Sequence, residues 1–296
     1  MIVEDPLARL IGMLLDQQVP MEWAFTGPHT LRARLGHLDP AKIAAMPVED
    51  FVASVDALIR ADEHWVPEPA GEKSLYVRPF MFASEKFLGV RPARHVTYMV
   101  IASPAGAYFA KGVHPVSIWL SEDYTRAGVG GMGAAKTGGN YASSLVAQQE
   151  ASENGCDQVV FLDAVERKWV EELGGMNLYF VHDDGTIVTP ELSGTILEGI
   201  TRSSIIELCR QQGWKVEERK VSVDEWREGV SSGRITEVFA CGTAAVVTPV
   251  GSLKWRGGEV GTGDETGPVT KQVRQALVDI QYGRAEDTFG WMHRVV

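Results

Sequence analysis

Over residues 5–46 apolar side chains recur every three or four positions, the period of a helix with one buried face. In "DPLARLIGMLLDQQ" that period puts Leu7, Leu10, Ile11, Leu14 and Leu15 on one side, with Asp5 at the N-cap and Pro6 at the first helical position. Shorter amphipathic pieces follow at "GPHTLRARLG" and "LDPAKIAAM", and "PVEDFVASVDALIRADEHWV" carries the pattern to about Asp62. Then the rhythm changes. "SLYVRPFMFAS" (74–84) and "HVTYMVIASP" (95–104) are β-rich runs of strand length.

The remainder alternates. "CDQVVFLD" predicts a strand, and "MNLYFVHDDGTIVTP" predicts a hairpin turned by "DDG". "TRSSIIELCRQQG" predicts a helix stopped by Gly213, and "SVDEWREGV" opens with a capping box from Ser222 to Glu225. "EVFACGTAAVVTPVGSLKWRG" returns to strand, and "PVTKQVRQALVDIQYG" predicts a closing helix. No internal repeat is visible. Segregated helices and strands point to an α/β chain of the α+β or mixed-sheet kind rather than regular βαβ winding.

Composition narrows the function classes. A length of 296 residues suggests about two domains. The net charge of −11, from 28 basic and 39 acidic residues, argues against a nucleic-acid or anionic-membrane surface. Cys156, Cys209 and Cys241 form neither a CxxC pair nor a disulfide ladder, which fits a reducing cytoplasm. The run "LIGMLL" ends at Asp16, too short to span a membrane or serve as a signal core.

The stretch "GGMGAAKTGGNYASSL" (130–145) sets Lys136 among glycines, five residues before Tyr141. Glycines let backbone approach a ligand closely. A lysine there can contact a phosphate, bond covalently to a carbonyl, or simply be a solvated loop charge. The spacing is not that of a phosphate-binding GxxxxGK[ST] loop, and its glycines stand at the wrong offsets for GxGxxG.

In company with "SLYVRPF", "VEELGGMNLYF", "LSGTILEGITRSSI" and "FACGTAAVVTPV", this stretch resembles the fold-type IV pyridoxal-phosphate enzymes, and among them the branched-chain amino-acid aminotransferases. The likeness runs from about Pro47 to "DIQYG" near 283. It implies a small α/β domain over 47–110, a linker at 111–122, and a larger cofactor-binding domain of mixed sheet over 123–296. It also implies roles. Lys136 is the lysine that holds pyridoxal 5'-phosphate covalently and later carries a proton. Glu172 faces the pyridine nitrogen, while its neighbour Glu171 is expected in solvent. Tyr141 meets the cofactor's 3′-oxygen. Gly199, Ile200 and Thr201, at a helix start that suits an anion, take the phosphate with Thr243. Thr243 and Ala244 also meet the substrate α-carboxylate.

For the substrate, the resemblance implies Tyr76 near the α-carboxylate and Arg78 on the distal carboxylate of glutamate, where a guanidinium fork suits it. Tyr108 stands at the pocket wall, and Gly175 allows close approach beside the site. "FLGV" (87–90) aligns with a loop reaching a neighbouring subunit's site through Val90, which implies a homodimer. Arg202 reads as helical surface charge. Where some relatives carry a CxxC pair this chain has Ala245 and Thr248, so no thiol switch is expected, and Cys241 reads as core.

Residues 1–46 do not resemble the opening of an aminotransferase, which begins with strands and a phosphate-gripping arginine. With "LLDQQ" they resemble instead the first helices of helix-hairpin-helix base-excision DNA glycosylases, and the join is expected near Ala45–Pro47. Three readings stand open on the sequence. The chain is an active branched-chain aminotransferase, a hybrid of that family with weakened or absent cofactor binding, or a DNA-repair fragment.

Overall fold

The computed structural model describes residues 47–68, 72–106 and 113–296. The helices expected over 5–46, their resemblance to a glycosylase, and Tyr108 lie outside the described residues. The chain divides into two compact units, one reaching Gly106 and taking in Arg294–Val296, the other running from Ala107 to His293.

In the first unit, helix α1 (Val48–Ala61) carries Glu49 and Asp50 in its first turn and Arg60 in its last, which complements the helix dipole. Strands β1 (Ser74–Ala83) and β2 (Val96–Ala105) pair antiparallel along their whole length, from Ser74 opposite Ala105 to Ala83 opposite Val96. Val55 and Leu58 of α1 pack on Tyr98, Val100 and Val77 of this hairpin. The Ser54 and Tyr98 hydroxyls add a hydrogen bond of 3.2 Å.

The second unit is built on a nine-stranded mixed sheet. Its strands are β3 (Val116–Leu120), β4 (Gln158–Leu162), β5 (Val170–Leu173), β6 (Asn177–His182), β7 (Ile187–Thr189), β8 (Val216–Glu218), β9 (Ile235–Gly242), β10 (Val246–Trp255) and β11 (Gly258–Gly261). The order is β5-β4-β3-β10-β9-β6-β7-β8, with β11 on β10. β3 runs parallel to both β4 and β10, and β7 is parallel to β8. The other neighbours are antiparallel, so the mixed-sheet expectation holds.

The helices are α2 (Gly138–Glu153), α3 (Ile200–Gln211), α4 (Val223–Ser232) and α5 (Pro268–Gln281). Apolar cores lie on both faces of the sheet. Along β6, Leu178 and Phe180 enter one core, with Trp226 edge-on to Phe180. Tyr179 and Val181 enter the other, with Phe239, Ile205 and Leu277. That alternation is the two-residue period of a strand, and burial on both faces makes "LYFV" read as one unbroken apolar run.

Several local expectations hold. α3 stops at Gln211, just before Gly213. The Glu225 amide donates to the Ser222 hydroxyl at 3.0 Å, the first half of the capping box. β6 and β7 form the hairpin across "DDG". Cys241 is fully buried, and burial pushes its thiol up to about 12, which suits a core residue.

Two expectations are corrected. Residues 111–122 are not simply a linker, because Val116–Leu120 form β3, an interior strand whose Ile118 is 0% exposed. The second concerns the option of a loop carrying a solvated lysine over 130–145, which holds only as far as Thr137. From Gly138 the stretch is the first turns of α2, whose small residues Ala147 and Ala151 pack closely against Trp119, Val159 and Phe161.

Candidate active site

The glycine-rich segment ahead of α2 presents Lys136 at the surface. Its Nζ donates to the Tyr141 hydroxyl at 2.8 Å, with Tyr141 held on the first turn of α2. The segment itself is pinned. Asn140 Nδ2 donates to the carbonyls of Met132 and Ala135 at 2.8 and 2.9 Å, and the Ala134 amide donates to the Gly194 carbonyl. A Cβ at Gly133 would overlap the Thr195 backbone, so glycine is required there for the loop to lie against the 193–197 segment.

Glu172, on β5, is 1% exposed. Its Oε1 lies 2.7 Å from Nη1 of Arg126 and accepts from the Leu197 amide at 2.8 Å. Both contacts fall on one oxygen, which leaves Oε2 able to accept from a further group. Burial pushes the carboxyl up to about 7, against the opposing pull of Arg126, the Leu197 amide and the more distant charge of Lys136. Arg126 is itself buried and donates to the Thr195 carbonyl at 3.1 Å, tying the 193–197 segment to the loop after β3.

Glu171 is not in solvent, contrary to the expectation. It is buried, the Thr195 hydroxyl donates to its Oε1, and burial raises its pKa. Adjacent residues on a strand do point to opposite sides, but β5 is covered on both.

α3 begins at Ile200 with Gly199 as its N-cap, and no side chain caps its first turn. The amides of Ile200 and Thr201 therefore face outward at the positive end of a helix dipole. Gly199 is fixed from behind. Its amide donates to the Leu197 carbonyl, which also accepts from Asn177 Nδ2 at 3.0 Å. Arg202 is not surface charge. It is 3% exposed, donates to the Pro190 carbonyl at 2.9 Å and pairs with Glu218 at 3.0 Å, which anchors the base of α3.

Thr243 and Ala244 are exposed in the turn between β9 and β10. A Cβ at Gly175 would touch Tyr141 at 3.5 Å, and one at Gly242 would stand 3.5 Å from the Gly175 carbonyl. Gly175 thus links Tyr141 to the turn that carries Thr243. Through these contacts the second unit gathers Lys136, Tyr141, Glu172, Gly175, Gly199–Thr201 and Thr243–Ala244. Tyr76, Arg78 and Val90 belong to the first unit, where Arg78 Nη2 donates to the Tyr76 hydroxyl at 2.8 Å and Val90 is fully exposed.

Sequence reasoning missed Arg126, Thr195 and Asn177. "DYTRAG" reads as an ordinary polar loop, and nothing in it signals an arginine that will be buried against a carboxylate 46 positions later.

These groups fit pyridoxal phosphate. An accessible amine beside a phenol, a buried carboxylate with a spare oxygen, and an uncapped helix start match an aldehyde, a protonated ring nitrogen and a phosphate, respectively.

The model of amino-transferase class IV matches residues 41–253, and the chain belongs to that family. The match begins a few residues ahead of the join expected near Ala45–Pro47. The chain is 60% identical over 249 residues to a probable branched-chain-amino-acid aminotransferase of Streptomyces coelicolor, covering 84% of this chain and 68% of the relative. It is 54% identical over 257 residues to the branched-chain-amino-acid aminotransferase of Mycobacterium tuberculosis, covering 86% and 70%. Among solved structures, the Escherichia coli branched-chain amino acid aminotransferase superposes with a TM-score of 0.72 at 33% identity, covering 87% of this chain and 81% of that one. The branched-chain amino acid aminotransferase of Thermobaculum terrenum, in its PLP-bound holo-form, gives 0.68 at 27% identity, covering 85% and 76%.

Proposed function

We propose that this chain is a pyridoxal 5'-phosphate-dependent transaminase that moves the amino group of leucine, isoleucine or valine to 2-oxoglutarate. The observation that carries this reading is the Lys136–Tyr141 contact standing in one unit with the Arg126–Glu172 pair and the uncapped start of α3. Membership of the family and the named relatives support the same activity, and they do not favour a DNA-repair fragment.

When bound, the cofactor supplies an electron sink for the pair released at the substrate Cα. The chain's residues do the rest. Lys136 holds the cofactor through its amine and then moves the proton at Cα. The Tyr141 hydroxyl orients that amine. Glu172 keeps the ring nitrogen protonated, and Arg126 favours the ionised form of Glu172 and fixes its position. The amides of Ile200 and Thr201, following Gly199, bind the phosphate with the Thr243 hydroxyl. Thr243 and Ala244 meet the α-carboxylate, and Gly175 leaves room beside Tyr141. For the first unit, the family resemblance assigns Tyr76 to the α-carboxylate and Arg78 to the distal carboxylate of glutamate.

The reading extends to a cytoplasmic homodimer. Three buried free cysteines suit a reducing compartment. Leu88 and Val90, both fully exposed at a loop tip, are apolar groups that a second copy would cover. Among the described residues no helix is long and apolar enough to cross a membrane. Purified protein given pyridoxal phosphate should absorb in the visible and catalyse 2-oxoglutarate-dependent deamination of leucine. A colourless protein that gives no keto acid at saturating cofactor would overturn the reading.

A further inference from the structure

Glu171 has no part in the chemistry above, yet its surroundings are the more unusual of the two carboxyls on β5. It is 5% exposed. Arg126, whose charge reaches it, closes its ion pair on Glu172 instead. Among the described residues no cationic side chain forms an ion pair with Glu171. Its Oε1 meets the Thr195 hydroxyl, and its Oε2 is buried without a hydrogen-bond partner. The Thr195 hydroxyl lies 2.6 Å from that of Ser193, and Ser193 is exposed to solvent. The three groups form a continuous hydrogen-bonded path from a buried carboxyl to water.

A carboxylate anion with one orphaned oxygen and no paired cation is expensive to bury. A neutral acid in the same place can donate from Oε1 to Thr195, which donates to Ser193, and only a carbonyl oxygen is left without a partner. We propose that Glu171 is held as a neutral carboxylic acid, that Thr195 and Ser193 exchange its proton with solvent, and that its neutrality leaves Glu172 the sole anion beside Arg126. Glu171 is then a positioning residue. This rests on the reading of Glu172 as the partner of the ring nitrogen.

The groups around Glu171 agree. Glu172 is its chain neighbour, and the Asp163 carboxylate at the end of β4 opposes a second negative charge, while Arg126 and the Thr195 hydroxyl favour one. Burial is the largest influence and favours the neutral form. Ionisation breaks the O–H bond at Oε1. The proton passes to Thr195 as Thr195 hands its own to Ser193 and Ser193 releases one to water, so nothing else is consumed.

Infrared difference spectra of the full chain near neutral pH, read with and without Glu171→Gln, test this directly. Measured in a Glu172→Gln background, so that the partly protonated Glu172 does not contribute, the parent should show the carbonyl stretch of a protonated carboxyl, and adding Glu171→Gln should abolish it. Thr195→Val should keep the band but move it to higher frequency, since the acid loses its acceptor, and this variant serves should the first fail to fold. A band unchanged in either variant overturns the proposal. Thermal melts give a second reading. Because the folded-state pKa lies above the unfolded one, the wild type loses stability as pH rises through it, whereas Gln does not titrate. The melting temperature of Glu171→Gln should therefore gain on the wild type with rising pH, and a constant difference overturns the idea. The infrared band does not require turnover. An absent band beside an active wild type refutes this proposal alone, and a present band beside an inactive wild type refutes the transaminase reading alone.

Discussion

Arg126 and Glu172 form an ion pair of 2.7 Å in which the two side chains are 2% and 1% exposed. Neither is free to find water if the other is removed. A buried pair of this kind contributes little net stability when intact, but breaking it leaves an uncompensated charge, at a cost of about 3–5 kcal/mol.

Arg126→Met should therefore lower stability by about that amount, and it should also free the Thr195 carbonyl from its 3.1 Å hydrogen bond. Urea unfolding of both proteins measures the loss. A change below about 1 kcal/mol, within the ordinary range for surface substitutions and weak contacts, would mean that the pair is not formed.

The acid limb of the pH–rate profile should belong to Glu172. Burial pushes this carboxyl up to about 7, so its ionised form is lost as pH falls through that value. The rate should fall with it, and a bound pyridinium opposite the carboxylate should move the midpoint lower. Stability has the opposite sign, since a raised folded-state pKa adds stability at low pH that is lost as pH rises through about 7. Glu172→Gln should remove this limb and lower kcat by about a hundred-fold or more, as for other lost electrostatic partners. A profile that keeps its acid limb in Glu172→Gln assigns the limb to another group.

Lys136→Ala should abolish turnover with little effect on the fold. The side chain is exposed, and its contacts in the structure are the hydroxyl and ring of Tyr141. Its deletion should move stability by no more than about 0.5 kcal/mol. Transaminase assays and thermal melts on one preparation check both halves. Retained turnover would assign the lysine role elsewhere.

Gly199→Ala should weaken cofactor binding. The added Cβ would run into the Asn177 side-chain oxygen, which must move together with the start of α3. A tenfold weakening, about 1.4 kcal/mol, is expected when pyridoxal phosphate is titrated into the apoprotein and followed by its absorbance. Unchanged affinity would mean that the Ile200 and Thr201 amides do not carry the phosphate.

The sequence by itself determined the local elements and nominated the candidate site residues. The apolar run of β6, the Ser222 cap, the Gly213 stop and the strand-rich 236–256 stretch are short-range signals, written within a few residues of where they act. Lys136 stood out because glycines surround it, and the other site residues came from motifs matched to a known family. What only the tertiary structure decided is which polar groups lose water. Glu171 and Arg202 read as surface charges until β5 is covered on both faces and α3 settles on Pro190 and Glu218. Arg126 was invisible because its partner comes 46 residues later, on a strand it reaches only once β3, β4 and β5 have paired. Burial, and with it the charge state of a carboxyl, is a property of the packed sheet rather than of any window of sequence.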